Sequence, residues 1–278
     1  MEKFVFSSQY FNILDTLECG QVFRFSPFEK GFIVVSKDKC AYLYHQGDDA
    51  VIECQKQDKD YFYNYFDLSR DYAKICQNAI NENIPVLTTA VQGGKGIRIL
   101  NQDKEEMLFS FMISQNNNIP RIKGIINKLC LSLGDKKEFL GQEYYSFPTA
   151  VKMAEKDVNF YESIGLGYRA KYIKSLADAI KNGLNANDFN DLSTKDLKKK
   201  LTSIFGVGPK VADCVSLFGF HRSDSFPVDT WIEKVYVEDL KGTIKDRAKI
   251  ADYLVERFKE NSGYYQQYLF YHKRLNQK

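Results

Sequence analysis

The sequence predicts an α+β protein: an N-terminal antiparallel β-sheet domain with helices over residues 1–92, then an all-α domain over residues 93–278. Three observations carry this reading. Short runs of β-branched and aromatic residues recur about every ten residues through the first third. From about residue 103 the apolar period changes to the i, i+3, i+4 spacing of helices. Between them lies Gln92-Gly-Gly-Lys-Gly96, which reads as a linker and lacks the Gly-Lys-Ser/Thr ending of a phosphate-binding loop.

In chain order, strands are expected at Gln21–Phe25, Phe32–Ser36, Ala41–His45 and Val51–Cys54. Turn signals such as Gln46-Gly47-Asp48-Asp49 separate them, as in an antiparallel meander. Residues 58–83 turn helical. Met107, Phe111, Ile122, Ile126 and Leu129 then keep helical spacing. Further helices are expected at 119–133, 169–182, 194–204, 210–219, 230–240, 245–259 and 263–275. Ser193-Thr-Lys-Asp196 resembles a capping box with Asp in place of Glu.

Composition narrows the class. At 278 residues, 44% hydrophobic and 27% charged, the chain is neither disordered, collagen-like nor a disulfide-dense miniprotein. No apolar run approaches the ~18 residues that span a bilayer. Met1–Ser8 is too short an apolar stretch for a signal peptide, so a soluble, cytoplasmic protein without membrane contact is expected. Cysteines 19, 40, 54, 76, 130 and 214 are scattered without a Cys-x-x-Cys and are expected as free thiols. The three histidines, 45, 221 and 272, show no zinc spacing, and neither a metal nor a cofactor is expected. The net charge is +3, but residues 1–88 carry 9 Lys/Arg against 13 Asp/Glu, leaving +7 for the remainder. A basic back half suits a polyanion partner, although most lysine-rich faces are simply solvated.

The most informative stretch runs from Leu201 to Cys214. Leu197, Leu201 and Ile204 form one apolar helix face, and Val211, Val215 and Phe218 another. Phe205-Gly-Val-Gly-Pro209 between them permits a tight turn, since glycine accepts positive φ and proline suits the first turn of a helix. Gly206 and Gly208 can bring backbone N–H groups against a phosphate at the positive end of a helix. An ordinary helix–helix turn with a glycine stop is the plainer alternative.

Lys210 falls in the first turn of the second helix, where a cation opposes the helix dipole. That field, with partial burial, is expected to favour the neutral amine. A drop of ~3 units from ~10.4 raises the neutral fraction at pH 7 nearly a thousandfold. A neutral amine can form a Schiff base; a solvated lysine contacting phosphate fits the local sequence equally well. Asp229, in Phe226-Pro-Val-Asp-Thr-Trp231, sits at a helix N-cap. If the helices pack together, both helix starts face one cleft, and the carboxylate can stabilise positive charge on a sugar ring.

Phe205-Gly-Val-Gly-Pro-Lys-Val-Ala-Asp-Cys214, followed by Pro227-Val-Asp229, resembles the helix-hairpin-helix DNA glycosylase superfamily. Three further segments narrow the resemblance to 8-oxoguanine DNA glycosylases: Leu108-Phe-Ser-Phe-Met-Ile-Ser-Gln-Asn-Asn-Asn-Ile-Pro-Arg121, Gly165-Leu-Gly-Tyr-Arg-Ala-Lys-Tyr172 and Cys19-Gly-Gln-Val-Phe-Arg24. It extends over nearly the whole chain, and makes the second domain an all-α helix-hairpin-helix glycosylase domain. It implies a bifunctional glycosylase and abasic-site lyase that acts, as a nucleoid-associated monomer, on duplex DNA carrying 8-oxoguanine opposite cytosine. Lys210 matches the nucleophile that attacks C1′, and Asp229 the carboxylate that assists it. Gly20 matches the position whose carbonyl accepts the lesion's N7–H, which guanine lacks; a site built on one such bond rejects the analogue strongly. Gln266 and Phe270 match the residues that read and stack on the flipped base. Cys214 matches the opposite pocket wall, and Phe218 stands at another wall position. Asn116, Arg121 and Arg169 match the group that reads the orphaned cytosine, with Tyr168 as the wedge.

Two positions depart from the family's vertebrate pattern: Trp231 stands where a histidine is usual, and Phe218 where a methionine is common. Other classes fit less well. A monofunctional glycosylase needs no lysine at this turn. An endonuclease III-like enzyme usually carries a four-cysteine cluster near its C-terminus. A non-enzymatic helix-hairpin-helix clamp needs neither Lys210 nor Asp229, and a metabolite Schiff-base enzyme on a (β/α) barrel does not match the element order.

Overall fold

The computed structural model describes residues 1–276. Alternating apolar residues at the N-terminus form β1 (Glu2–Ser7), followed by the short helix α1 (Ile13–Glu18), capped by the Asn12 side chain. Then come β2 (Phe25–Phe28), β3 (Gly31–Ser36), β4 (Lys39–Gln46) and β5 (Asp49–Cys54). The five strands form one antiparallel sheet in the order β1-β5-β4-β3-β2, so the expected meander is extended by β1 along β5. Because neighbouring side chains point to opposite faces, the sheet buries two sets of residues. Val34, Ala41, Leu43 and Ile52 pack beneath Phe62, Tyr65 and Phe66 from the helix α2 (Lys59–Tyr65) and its end. Ile33, Val35, Tyr42 and Val51 line the opposite face.

Gln21–Arg24 is not a strand; β2 begins at Phe25, with one bond to β3 just before it, from Val35 N to Arg24 O at 2.9 Å. The reason is Gln21, whose buried side chain donates to Arg98 O at 2.6 Å and accepts from Leu100 N at 2.8 Å. That bracket ties residues 98–100 to the chain entering the sheet and draws the segment out of the ladder.

After α3 (Tyr72–Asn81), the expected linker proves to be the end of a helix, α4 (Pro85–Gly94). Pro85 starts it, and Leu87, Ala90 and Val91 are buried. Gly94 serves close packing: a Cβ there would lie 3.2 Å from Ile97 Cδ1 and 3.4 Å from Tyr268 Cδ1. The helical part continues with α5 (Lys104–Ser114) and α6 (Ile119–Leu133). A two-stranded hairpin, β6 (Lys136–Phe139) and β7 (Gln142–Tyr145), and the short α7 (Ala150–Ala154) and α8 (Val158–Ser163) come next. Sequence periodicity misses this hairpin because its Lys- and Glu-rich strands are largely exposed and carry no apolar alternation.

The remaining helices are α9 (Ala170–Lys181), α10 (Thr194–Thr202), α11 (Pro209–Phe218), α12 (Thr230–Lys234) with a π-turn over Val235–Asp239, α13 (Arg247–Phe258) and α14 (Ser262–Leu275). They bury one continuous core, which includes Met107, Ile126, Leu176, Val215 and Leu269. A buried ion pair fastens the sheet to this core. Arg24 meets Glu106 of α5 at 3.2 Å, and the same carboxylate accepts from Lys37 N at 2.7 Å. Burial raises the Glu106 pKa, so the bridge depends on Arg24 to keep the carboxylate charged. All six cysteines are free and buried. Among the described residues, no helix is long and apolar enough to cross a membrane.

Candidate active site

The hairpin between α10 and α11 follows from its sequence. Ser193 caps α10, accepting from Asp196 N at 3.1 Å, and its hydroxyl donates to Asp196 Oδ2 at 2.7 Å. Leu197, Leu201, Val211 and Val215 lock the two helices together. The two glycines differ in purpose. Gly206 has φ +89°, and a Cβ there would lie 2.4 Å from Tyr172 Cγ. Gly208 has an ordinary φ of −88°, with open space where its Cβ would be. Positive φ is thus needed only at the first, while the second keeps the surface clear for a close approach. Gly206→Ala should therefore cost about 2–4 kcal/mol of folding stability. Gly208→Ala should cost under about 1 kcal/mol; urea denaturation of the two variants checks the contrast.

Lys210 is the second residue of α11, and Asp229 caps α12, its Oδ1 accepting from Trp231 N and Ile232 N, both at 2.9 Å. The two side chains stand between two cavities. One is a cleft of about 750 Å³, also lined by Asn116, Tyr168, Gly208 and Trp231. The other is a pocket of about 60 Å³, where Gly20, Cys214, Phe218, Gln266 and Phe270 converge. Every residue expected for the base pocket thus meets at one place. Phe111, read from the sequence only as part of a helical apolar pattern, belongs to that wall, its ring stacked on Phe218 at 5.5 Å.

The protonation of Lys210 differs from the expectation. Burial pulls its pKa down, but Cys214 and Asp229 outweigh it and hold the amine above its ordinary 10.5. The burial that was expected to neutralise the amine is thus present, but the groups around it oppose and outweigh it. The Phe111 ring, 5.8 Å from Nζ, also favours the cation. Burial pushes the Cys214 thiol up to about 11, so it is neutral at pH 7.

The pocket has a defined polarity. Gln266 is buried; its Nε2 donates to Pro227 O at 3.2 Å, leaving Oε1 without a partner. Since a carbonyl must be met by the NH₂ end, Oε1 is the free acceptor. Gly20, at φ +88°, is fixed from behind by Gln267, whose Nε2 donates to Cys19 O at 2.7 Å. Gln267 escaped the sequence reading; its position directly after Gln266 was the only signal.

The Asn116 group is placed less uniformly. Asn116 takes a left-handed φ of +45° just past α5 and lines the cleft. Tyr168 is 53% exposed on the same wall. Arg121 is exposed and donates to Gly165 O at 3.2 Å. Arg169, expected to read an orphaned base, is buried instead, and donates to Gln115 O at 2.7 Å, Asn116 O at 2.8 Å and Leu166 O at 3.3 Å. The end of α5 presents unpaired carbonyls, and a buried guanidinium must spend its donors, so the two satisfy each other.

A family described as "8-oxoguanine DNA glycosylase, N-terminal domain" matches residues 3–108, and the "HhH-GPD superfamily base excision DNA repair protein" family matches residues 109–260. The crystal structure of the Clostridium acetobutylicum 8-oxoguanine glycosylase/lyase, in complex with double-stranded DNA containing cytosine opposite 8-oxoguanine, is 39% identical. It superposes with a TM-score of 0.91 over 97% of this chain and 94% of that one. The chain belongs to the 8-oxoguanine DNA glycosylase family. The N-glycosylase/DNA lyase of Saccharomyces cerevisiae is 35% identical over 205 residues, 68% of this chain and 54% of that protein. The Arabidopsis thaliana N-glycosylase/DNA lyase is 32% identical over 191 residues, 63% and 52% of the two chains. This 8-oxoguanine glycosylase family member thus spans about half the length of these two relatives. Its candidate site draws on both matched regions and on α14 beyond them: Gly20 from the first, Lys210 and Asp229 from the second, Gln266 and Phe270 from the last helix.

Proposed function

We propose that this protein excises 8-oxoguanine from duplex DNA and then nicks the strand, with Lys210 as the nucleophile. The observation that carries the reading is the position of Lys210 and Asp229 between a cleft open to water and a pocket holding the unpartnered Gln266 Oε1. The hairpin and the basic half of the chain hold the DNA backbone, with N–H groups near Gly206 and Gly208 meeting phosphate. A base undergoing chemistry leaves the stack for the pocket. There Gln266 Oε1 accepts from the guanine N–H donors, Phe270 stacks on the ring, and the Gly20 carbonyl takes the N7–H. Cys214 and Phe218 close the walls.

Lys210 begins as an ammonium and must lose a proton, to water in the cleft, before it attacks. Its lone pair then forms the C1′–N bond as the glycosidic bond breaks, and that electron pair leaves on the base, which takes up a proton. Asp229 stabilises the positive charge that develops on the sugar. Ring opening gives a Schiff base; removal of a C2′ proton expels the 3′ oxygen and cuts the strand. The partner in this reading is duplex DNA with cytosine opposite the lesion, met by a single cytoplasmic chain at the nucleoid. Tyr168 wedges the gap, while Asn116, Arg121 and, once released from its carbonyls, Arg169 read the orphaned base.

The test is a duplex with one 8-oxoguanine opposite cytosine, treated with the protein and borohydride. A reduced covalent complex is expected, formed far faster than with guanine at the same position; equal rates on both bases would overturn the reading. Gln266→Leu, which removes the acceptor, should lower kcat/KM on the lesion by about 100-fold.

A further inference from the structure

Phe205 stands at the tip of the α10–α11 hairpin, one residue before the required left-handed Gly206, and is 60% exposed. A large apolar ring left in water there gains little for the fold. It is not isolated. Phe205 packs edge-on against Tyr172, with centroids 5.1 Å apart, and Tyr172 packs edge-on against Tyr168 at 6.0 Å. Tyr168 is itself 53% exposed and lines the cleft with Lys210. Three rings thus run without a break from the cleft wall to the hairpin tip.

The ridge is held in place from both ends. The Tyr172 ring fills the space beside Gly206 that any side chain would need. Gln115 bridges the same parts: its Nε2 donates to Gly206 O at 2.9 Å, and its carbonyl accepts from Tyr168 Oη at 3.4 Å and Arg169 Nε at 2.7 Å. Hairpin, ridge and cleft wall are therefore joined through Gln115 and Tyr172.

We propose that the Tyr172–Phe205 end of this ridge is a further DNA-contacting surface, which lays its rings against the deoxyribose of the strand gripped by the hairpin. The inference rests on the DNA reading given above. Along a nucleic-acid strand the neighbour of every phosphate is a sugar, whose carbon face is apolar. With a phosphate against the open side of Gly208, a ring at position 205 on the same turn falls beside that sugar. An uncharged ring adds contact that dissolved ions do not screen, unlike the phosphate grip itself.

The test measures binding of the full chain to a duplex with a tetrahydrofuran abasic analogue opposite cytosine, by fluorescence anisotropy at several salt concentrations. Phe205→Ala should weaken binding about 10-fold at each salt, since ring contacts to DNA are typically of that order. The salt slope should not change, because no phosphate contact is lost. Phe205→Tyr should restore affinity to within about 2-fold, as the ring is kept. The melting temperature of Phe205→Ala should match that of the unaltered protein. Unchanged affinity in Phe205→Ala, while the unaltered protein binds tightly, would overturn the ridge and leave the glycosylase reading intact. A weaker affinity accompanied by a lower melting temperature would also overturn it, making the ring a packing residue for Tyr172. Failure of the unaltered protein to bind the duplex would overturn both.

Discussion

Lys210→Gln should abolish borohydride trapping and slow base release by about 10⁴-fold, the scale seen when a covalent nucleophile is removed. Binding should survive, because the phosphate contacts proposed above use the backbone of the hairpin and residues other than Lys210. Folding should survive too: glutamine is a good helix former, and the exchange removes a cation from the positive end of α11. The pH dependence follows from the sign of the shift. In the free site Lys210 is held above its ordinary 10.5, so near neutrality almost all of it is ammonium. Each pH unit below that value leaves about ten times less free amine. The single-turnover trapping rate should therefore climb between pH 6 and 9, approaching tenfold per unit, where the amine must shed its proton to react. A flat profile over that range would contradict an ammonium resting state.

Asp229 should prove the second most sensitive position, and its two duties can be separated. Its Oδ1 caps α12 through two backbone N–H groups, a structural duty that asparagine performs equally well. Asp229→Asn should then leave stability within about 0.5 kcal/mol of the unaltered protein. Its rate of base release should nonetheless fall by about 10²–10³-fold, because the negative charge facing the sugar is gone. Asp229→Ala should lose the rate and also about 1 kcal/mol of stability, since it removes the cap as well. Chemical denaturation beside single-turnover kinetics measures both. An Asp229→Asn protein that releases base at the unaltered rate would reduce Asp229 to a helix cap.

Much of this arrangement was legible in the sequence where the information is local. The hairpin announced itself through Leu197, Leu201, Val211 and Val215, all of which are buried, and through the glycines between them. The capping duty of Asp229 needed only its place before a helix. What escaped was set by residues distant in the chain. Gln267 supports the Gly20 turn across 248 positions, and no window of sequence connects them. Arg169 looked available for DNA because its burial depends on the carbonyls at the end of α5, which local pattern does not place beside it. The Lys210 amine was read from its helix field and partial burial; Cys214 one turn on and Asp229 from α12 outweigh both and decide its charge instead. Gln92–Gly96 read as a linker because three glycines suggest freedom, whereas the lack of room for a side chain between Gly94 and Tyr268 shows that this glycine serves close packing of α4 on α14.

The central claim is that one side chain, on the floor between cleft and pocket, becomes bonded to the sugar. Peptide mass spectrometry of the borohydride-reduced complex with an 8-oxoguanine duplex tests it most directly. The account predicts the deoxyribose remnant on Lys210, within the tryptic peptide Leu201–Arg222, because a modified lysine is not cleaved. A remnant carried by any other lysine, or by the N-terminal amine, would contradict it.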